Sequence, residues 1–392
     1  MTSTGPLHGR KVIELAGIGP APFAAMLLAD MGADVLRVER PLASSTTEES
    51  AARRDILNRN RRSVAVDLKH PRGRDTVLTL VEHADGLIEG FRPGVAERLG
   101  VGPEQCLARN PRLVYGRMTG WGQDGPLAHS AGHDIDYIAI AGALHAIGNA
   151  GGPPVPPLNL VGDFGAGGML LAFGVVCGMV AADADGAGQV VDAAMTDGTA
   201  LLLSMCHSFM ARGQWQQRRG SNLLDGGAPF YSVYETADGR YMAVGALEPQ
   251  FFAELLARLG LDPHTLSAQA DFERWPELRA ELAAVFRSRT QEQWTQLLEG
   301  TDACVAPVLS MTEAPAHPHN RMRSTFVDVD GTMQAAPAPR FSRTPGSIAR
   351  PPALSGEHTR EALVEWGFPA SEVDDLIASG AVVQRGGATS RP

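Results

Sequence analysis

Short apolar runs and longer helical stretches alternate through the first hundred residues. Lys11-Val12-Ile13-Glu14-Leu15 reads as a strand, the loop Ala16-Gly17-Ile18-Gly19-Pro20 follows, and a helix is predicted from about Ala21 to Gly32. Val35 to Val38, Ser63 to Asp67, Gly86 to Glu89 and Arg112 to Tyr115 read as further strands. Strands and helices in alternation predict an α/β fold, a parallel sheet with helices on both faces. Between about Leu158 and Met210 the pattern is helical and rich in glycine and alanine, which lets helices approach closely. From Tyr231 the texture changes. Two alternating runs flank Ala237-Asp238-Gly239, a hairpin signal. Helices are predicted near Gln250 to Leu259, Glu277 to Arg287 and Gln291 to Glu299.

These patterns divide the chain. Residues 1–200 are expected to form a large domain, 201–224 linker helices, and 225–320 a smaller α/β domain. Residues 321–392 are expected to hold a linker and two last helices, near Thr359 to Trp366 and Ala370 to Ser379, that return to the first domain. Proline-rich stretches from Ala314 to Pro318 and Ala335 to Pro352 read as linkers, and no internal repeat is present.

Composition narrows the function classes. At 392 residues, 44% hydrophobic and 20% charged, the chain has the profile of a soluble globular protein of two domains. Its formal net charge of -10 argues against a nucleic-acid partner but not against a small anion in a local basic pocket. Cys106, Cys177, Cys206 and Cys304 lie far apart, which suits a reducing compartment and gives neither a disulfide framework nor a zinc site. Met1 to Pro6 lacks a charged-then-apolar leader, and Ser390-Arg391-Pro392 is not a Ser-Lys-Leu address. The longest apolar stretch, near Gly167 to Met179, is broken by glycines and is expected to fall short of a membrane span. The expected location is the cytoplasm.

Several familiar chemistries are weakened by the same inspection. Gly17-x-Gly19 between a strand and a helix resembles a dinucleotide fingerprint, but Pro22 occupies the third glycine position. With only two lysines, Lys11 and Lys69, no Walker loop is possible, and no Gly-x-Ser-x-Gly elbow exists. His317-Pro318-His319 lacks further ligands at suitable spacing, so a plain loop is expected and no metal. Residues 51–75 are locally basic: Arg53, Arg54, Arg59, Arg61, Arg62, Lys69, Arg72 and Arg74 face only Asp55, Asp67 and Asp75. Either this is a solvated charge run or its guanidinium groups bind phosphate oxygens. Arg40 and Arg92 follow predicted strand ends, where ligands of open α/β sheets sit.

The sharpest constellation is Gly132-His133-Asp134-Ile135-Asp136-Tyr137 with Leu158-Asn159-Leu160-Val161-Gly162-Asp163-Phe164. A His and an Asp in apolar surroundings are often a bonded core pair. Here Asn159 and Asp163 are four apart, on one face if the segment is helical. Leu158, Leu160, Val161 and Phe164 would enclose the carboxyl and raise its pKa toward acid/base use.

At this point the residues resemble a known family. Val12 to Leu15, Leu28 to Ala33, Arg37 to Pro41, Asp67 to Lys69, Gly132 to Asp134, Pro157 to Leu160, Asp225 to Tyr231, Gly245 to Phe251 and Gly356 to Thr359 match the family III CoA-transferase (CaiB/BaiF) superfamily. They run in order along nearly the whole chain, and within that superfamily they resemble the branch that racemises α-methylacyl-CoA thioesters. The resemblance implies a large Rossmann-like domain, a smaller α/β domain and an interlocked homodimer. It implies proton transfer by His133 and Asp163, with Glu248 pairing with His133 and Asn159 with Asp163. It also implies that Arg40, Val66, Asp67, Leu68, Lys69, Arg92 and the segment Gly132, His133, Asp134, Ile135, Asp136, Tyr137 hold CoA. The substrate would be a branched-chain acyl-CoA, with CoA part of the substrate and no separate cofactor, metal or membrane required.

Transferases of this kind place an aspartate nucleophile at the Asp134 position and commonly carry a glycine-rich covering loop. The corresponding stretch here, Asp225 to Phe230, has only two adjacent glycines, Gly226 and Gly227. CoA transfer through Asp134 is therefore the alternative reading. One departure from the racemase pattern is Asp136, where an asparagine is usual. In the expected reaction neutral His133 removes the α-proton on one face while protonated Asp163 delivers one to the other, and the reverse direction swaps the states. Glu248 would steady the imidazole. A backbone N–H near Asp134 would meet the thioester oxygen. Met195, Met205 and Met210 would either line an adaptable wall for the acyl chain or pack as core.

Overall fold

The computed structural model describes residues 5–41 and 46–386. Residues 1–4, 42–45 and 387–392 lie outside them, and with them Met1 to Thr4 of the leader region and the whole Ser390-Arg391-Pro392 terminus considered above. Six parallel strands form where β-branched runs are bounded by turns: β1 (Lys11–Leu15), β2 (Asp34–Glu39), β3 (Arg62–Val66), β4 (Gly86–Glu89), β5 (Val114–Thr119) and β6 (Gln189–Ala194). Their order across the sheet is β3-β2-β1-β4-β5-β6, and a two-residue strand, Val382–Val383, adds antiparallel outside β3.

Neighbouring residues of a strand point to opposite faces. Accordingly Ile13, Leu36, Val64 and Leu87 belong to one apolar cluster, and Val12, Val35, Ile88 and Val114 to the other. The first cluster is closed by Val77 and Leu80 of the helix Pro71–Val81 and by Leu363, Trp366 and Val373 near the C-terminus. The second is closed by the helix Pro20–Asp30, with proline at its start, and by the helix Met169–Asp185. Glycines let that last helix lie close on the sheet. A Cβ at Gly178 would meet Val114 Cγ1 at 2.6 Å, and one at Gly174 would meet Val191 Cγ1 at 2.7 Å.

Three expectations need correction. The stretch 158–210 is not wholly helical, because Gln189–Ala194 is the edge strand β6, paired in parallel with β5. Its outward residues are exposed, so it lacks the apolar run of a buried strand; Gly186 and Gly188 before Val190-Val191 were the signal. The proline-rich stretch is not a linker throughout. Phe326–Val329 and Thr332–Ala335 form a hairpin whose turn residues, Asp330 and Gly331, both have positive φ, as a two-residue Asp-Gly turn requires. Finally, Leu160–Asp185 is one helical run of 26 residues that contains an 18-residue stretch of mean hydropathy 2.0, long and apolar enough by those measures to cross a membrane. Its later part packs over β5 and β6, the position of a core helix.

The chain forms two units, one of residues 5–41, 46–141, 158–202 and 324–386, the other of residues 142–157 and 203–323. Residues 142–157, assigned by sequence to the first domain, thus group with the second unit. That unit carries an antiparallel sheet of β7 (Tyr231–Glu235), β8 (Tyr241–Gly245) and β9 (Val305–Pro307). Phe252, Phe286, Trp294 and Tyr234 pack its core between sheet and helices.

Candidate active site

The chain passes from β1 outward through β2 to β3, then returns to the other side of β1 with β4. Loops leaving β1 and β4 therefore diverge, and ligands of open α/β sheets bind in the crevice so formed at the carboxyl ends of the strands. A cavity of about 450 Å³ lies there. Its walls are Ile18 to Pro20 after β1, Gly90 to Pro93 after β4 and Met118 to Trp121 at the end of β5, with His133, Tyr137, Asp163 and Met195.

His133 is an exposed residue in extended conformation just before the helix Asp134–Ile140. Its backbone N–H donates to Asp136 Oδ2 at 2.9 Å. Asp136 therefore closes the first helical turn, a favourable place for a carboxylate at a helix N-terminus. The Tyr137 hydroxyl donates to the Gly132 carbonyl, and its ring stands edge-on to Trp121 with centroids 4.7 Å apart. Ile135 faces outward, 42% exposed.

Asp163 lies in a π-helical stretch, Leu160–Gly168, in which the Phe164 N–H reaches back to the Asn159 carbonyl at 3.3 Å. π-turns widen a helix and recur at functional sites. The predicted pair forms: Asn159 Nδ2 donates to Asp163 Oδ2 at 3.1 Å. Asp163's own N–H donates to Asp134 Oδ1 at 2.6 Å. Burial pushes the Asp163 carboxyl above the ordinary aspartate range; Asn159 opposes this, the neighbouring Asp134 charge adds to it, and His133 opposes it.

The direction is the expected one, but the enclosing groups are not. Leu158, at positive φ, is 71% exposed and Leu160 is 56% exposed, while Phe164 packs on Phe23 with centroids 4.6 Å apart. The carboxyl instead lies against the β1 loop, where a Cβ on Gly19 would stand 3.5 Å from Asp163 Oδ2.

Arg92 is exposed, lines the cavity and makes no ion pair among the described residues. Its loop is fixed from beneath: the Phe91 N–H donates to Glu89 Oε2 at 2.6 Å, and Arg117 Nε to Glu89 Oε1 at 2.9 Å. Arg40 follows β2, exposed, and its carbonyl accepts from the Ser355 hydroxyl at 3.3 Å. At the end of β3, Val66 is buried and paired with Val382, Leu68 packs on the core, Asp67 Oδ1 accepts the Lys69 N–H at 2.9 Å, and the Lys69 side chain is exposed. These residues lie at or beyond the carboxyl ends of β2 and β3 and do not line the cavity itself. Glu248 belongs to the second unit, exposed just before the helix Pro249–Leu259.

Three arginines of the basic run are taken up inside the fold. Arg59 is buried against Asp30 at 2.5 Å, Arg61 against Glu14 at 3.3 Å and the Pro22 carbonyl at 2.6 Å, and Arg62 against Asp34 at 2.7 Å and Glu365 at 2.5 Å. Guanidinium groups buried against carboxylates inside the fold are unavailable to phosphate, whereas Arg53, Arg54, Lys69 and Arg72 of the run remain exposed. Of the methionines, Met195 lines the cavity, whereas Met205 and Met210 are exposed on a helix of the second unit. Sequence reasoning missed Ile18, Trp121 and the Glu89–Arg117 clamp. The Gly17-x-Gly19 loop was the available signal, since its place after the first strand matters more than its failed fingerprint. His317 bonds locally, with Nε2 3.2 Å from Glu299 Oε1.

Comparison with known sequences settles the family, because the profile of CoA-transferase family III matches residues 7–359. The chain belongs to CoA-transferase family III. Within that family it is 47% identical to the mouse α-methylacyl-CoA racemase and 44% identical to the human one, in each case over 94% of this chain and 96% of the relative. A crystal structure of a CAIB/BAIF family protein from Brucella suis superposes with a TM-score of 0.76 at 25% identity, covering 93% of this chain and 100% of that one.

Proposed function

We infer that the protein is an isomerase that interconverts the 2R and 2S forms of 2-methylacyl-CoA thioesters, as its family III relatives from mouse and human are named to do. One observation carries the chemistry. A histidine and a carboxyl held above its ordinary pKa line a single cavity at the switch point of the sheet. A thioester acidifies its α-hydrogen, and a base on one side with an acid on the other completes a 1,1-proton transfer through an enolate.

In this reading neutral His133 removes the proton and protonated Asp163 returns one to the opposite face; the roles exchange in reverse. Asn159 orients the carboxyl. The enolate oxygen is met by the Asp134 N–H that opens its helix. Arg92, Arg40, the 66–69 segment and Gly132 to Tyr137 hold the CoA portion, and Met195 borders the acyl chain. The four free cysteines support work in the cytoplasm. Exposed apolar residues Met169, Phe173, Val180, Leu201 and Leu202 in the first unit support a homodimer.

The test is incubation with an α-methylacyl-CoA in deuterated water without any acceptor acid. Deuterium should enter at the α-carbon. Transfer of CoA between acids with no such exchange would replace this reading with the transferase one.

A further inference from the structure

Asp134 occupies the position where transferase relatives are expected to carry their nucleophile, yet here it is turned away from the cavity. It is 7% exposed and contributes nothing to the cavity wall. Oδ1 takes the Asp163 N–H at 2.6 Å, and Oδ2 is buried with no hydrogen-bond partner. Space for this arrangement depends on Gly162, where a Cβ would lie 2.5 Å from Asp134 Oδ1 and 3.1 Å from Ile138 Cγ2. A carboxylate half-satisfied in a buried place is costly unless the fold uses it.

We propose that Asp134 is a positioning residue for proton transfer, fixing the backbone and charge of Asp163 rather than attacking the thioester. This rests on the racemase reading above. The bond holds the wide π-turn at Asp163 against the helix that begins after His133, so one side chain registers both proton-transfer segments. Its charge also opposes ionisation of Asp163.

The other titratable groups around Asp163 are few. His133 and Tyr137 line the same cavity, with Arg92 across it, and Asp136 is bonded to the His133 N–H. The facing turn of the helix Pro20–Asp30 carries none in Pro20 to Phe23. Asp197, on the helix Met195–Leu202, interacts instead with Asp192.

Three variants test the assignment. Asp134→Ala removes acceptor and charge together and should lower kcat for α-deuterium exchange by about a hundredfold through misplacement of Asp163. Asp134→Asn keeps a carbonyl acceptor for the Asp163 N–H. It should recover most of that rate while moving the alkaline limb of the kcat/KM profile, where protonated Asp163 loses its proton, to lower pH, because a like charge has been removed. Gly162→Ala, which drives Asp134 Oδ1 away, should reproduce the alanine loss with Asp134 intact.

Wild-type exchange in the Ala variant, or an Asn variant as inactive as Ala with an unmoved alkaline limb, would overturn the assignment. A wild-type enzyme that moves CoA between acids without α-exchange would instead overturn the racemase reading, so the two failures are separable.

Discussion

Of two hollows, one in each unit, the larger is not the one to which the proton transfer is assigned. The cavity in the second unit, about 1040 Å³, has more than twice the volume of the 450 Å³ cavity in the first. Its two charged side chains, Arg279 and Asp225, are however spent on the fold. Arg279 donates to the Ser232 hydroxyl at 2.8 Å and to the Gly226 and Gly227 carbonyls at 2.6 and 2.7 Å. Asp225 accepts from the N–H groups of Asn222 and Gly227 at 2.8 and 3.0 Å. In the smaller cavity Arg92 has no carboxylate to neutralise it among the described residues, and Asp163 is held where ionisation is disfavoured. Chemistry follows groups left unsatisfied by the fold, not volume.

The contrast can be broken by mutation. The largest effect is expected at His133: His133→Ala should lower the rate of α-deuterium exchange by about 10²- to 10⁴-fold with CoA still bound, as measured by exchange and by calorimetry. Activity surviving intact would remove the first cavity from the reaction. Arg92→Ala should raise KM for the thioester about tenfold with kcat little changed, the loss of one charge-assisted contact to phosphate; steady-state kinetics would show the split.

Substitution in the larger cavity should show the opposite signature. Arg279→Ala should cost about 1–3 kcal/mol in urea unfolding while leaving kcat unchanged. A loss of turnover without loss of stability would mean that this hollow takes part after all.

The smallest effect sharpens the account of Asp163. Its folded pKa is raised, so the ionised form is disfavoured in the native state. Stability is therefore fully present below the unfolded aspartate range and is lost as pH rises through the folded value. Asp163→Asn, which cannot ionise, should be inactive yet melt above the wild type at neutral pH, with the advantage disappearing in acid. Melting curves across that range measure it, and an advantage independent of pH would contradict the electrostatic origin.

Much of this site was legible in the chain. The i, i+4 spacing of Asn159 and Asp163 anticipated their hydrogen bond, although the segment closes as a π-turn whose register no propensity announces. The strand ends before Arg40, Lys69 and Arg92 were readable from alternation. The fates of those arginines and of the basic run were not. Arg61 and Arg92 look alike in sequence, but Glu14, forty-seven positions before Arg61, buries one, and no carboxylate among the described residues reaches the other. Asp136 was an oddity until its bond to the His133 N–H gave it a place in the first helical turn.

Local pattern, by itself, determined the parallel strands, most helices and the kinds of residue available for proton transfer, because burial periodicity and turn chemistry act over a few neighbours. Only the tertiary structure decided which charges were neutralised, which carboxyl was held off its ordinary pKa and where Asp134 points. Those outcomes depend on partners distant in sequence, and ionisation answers to the whole surrounding volume rather than to the adjacent chain.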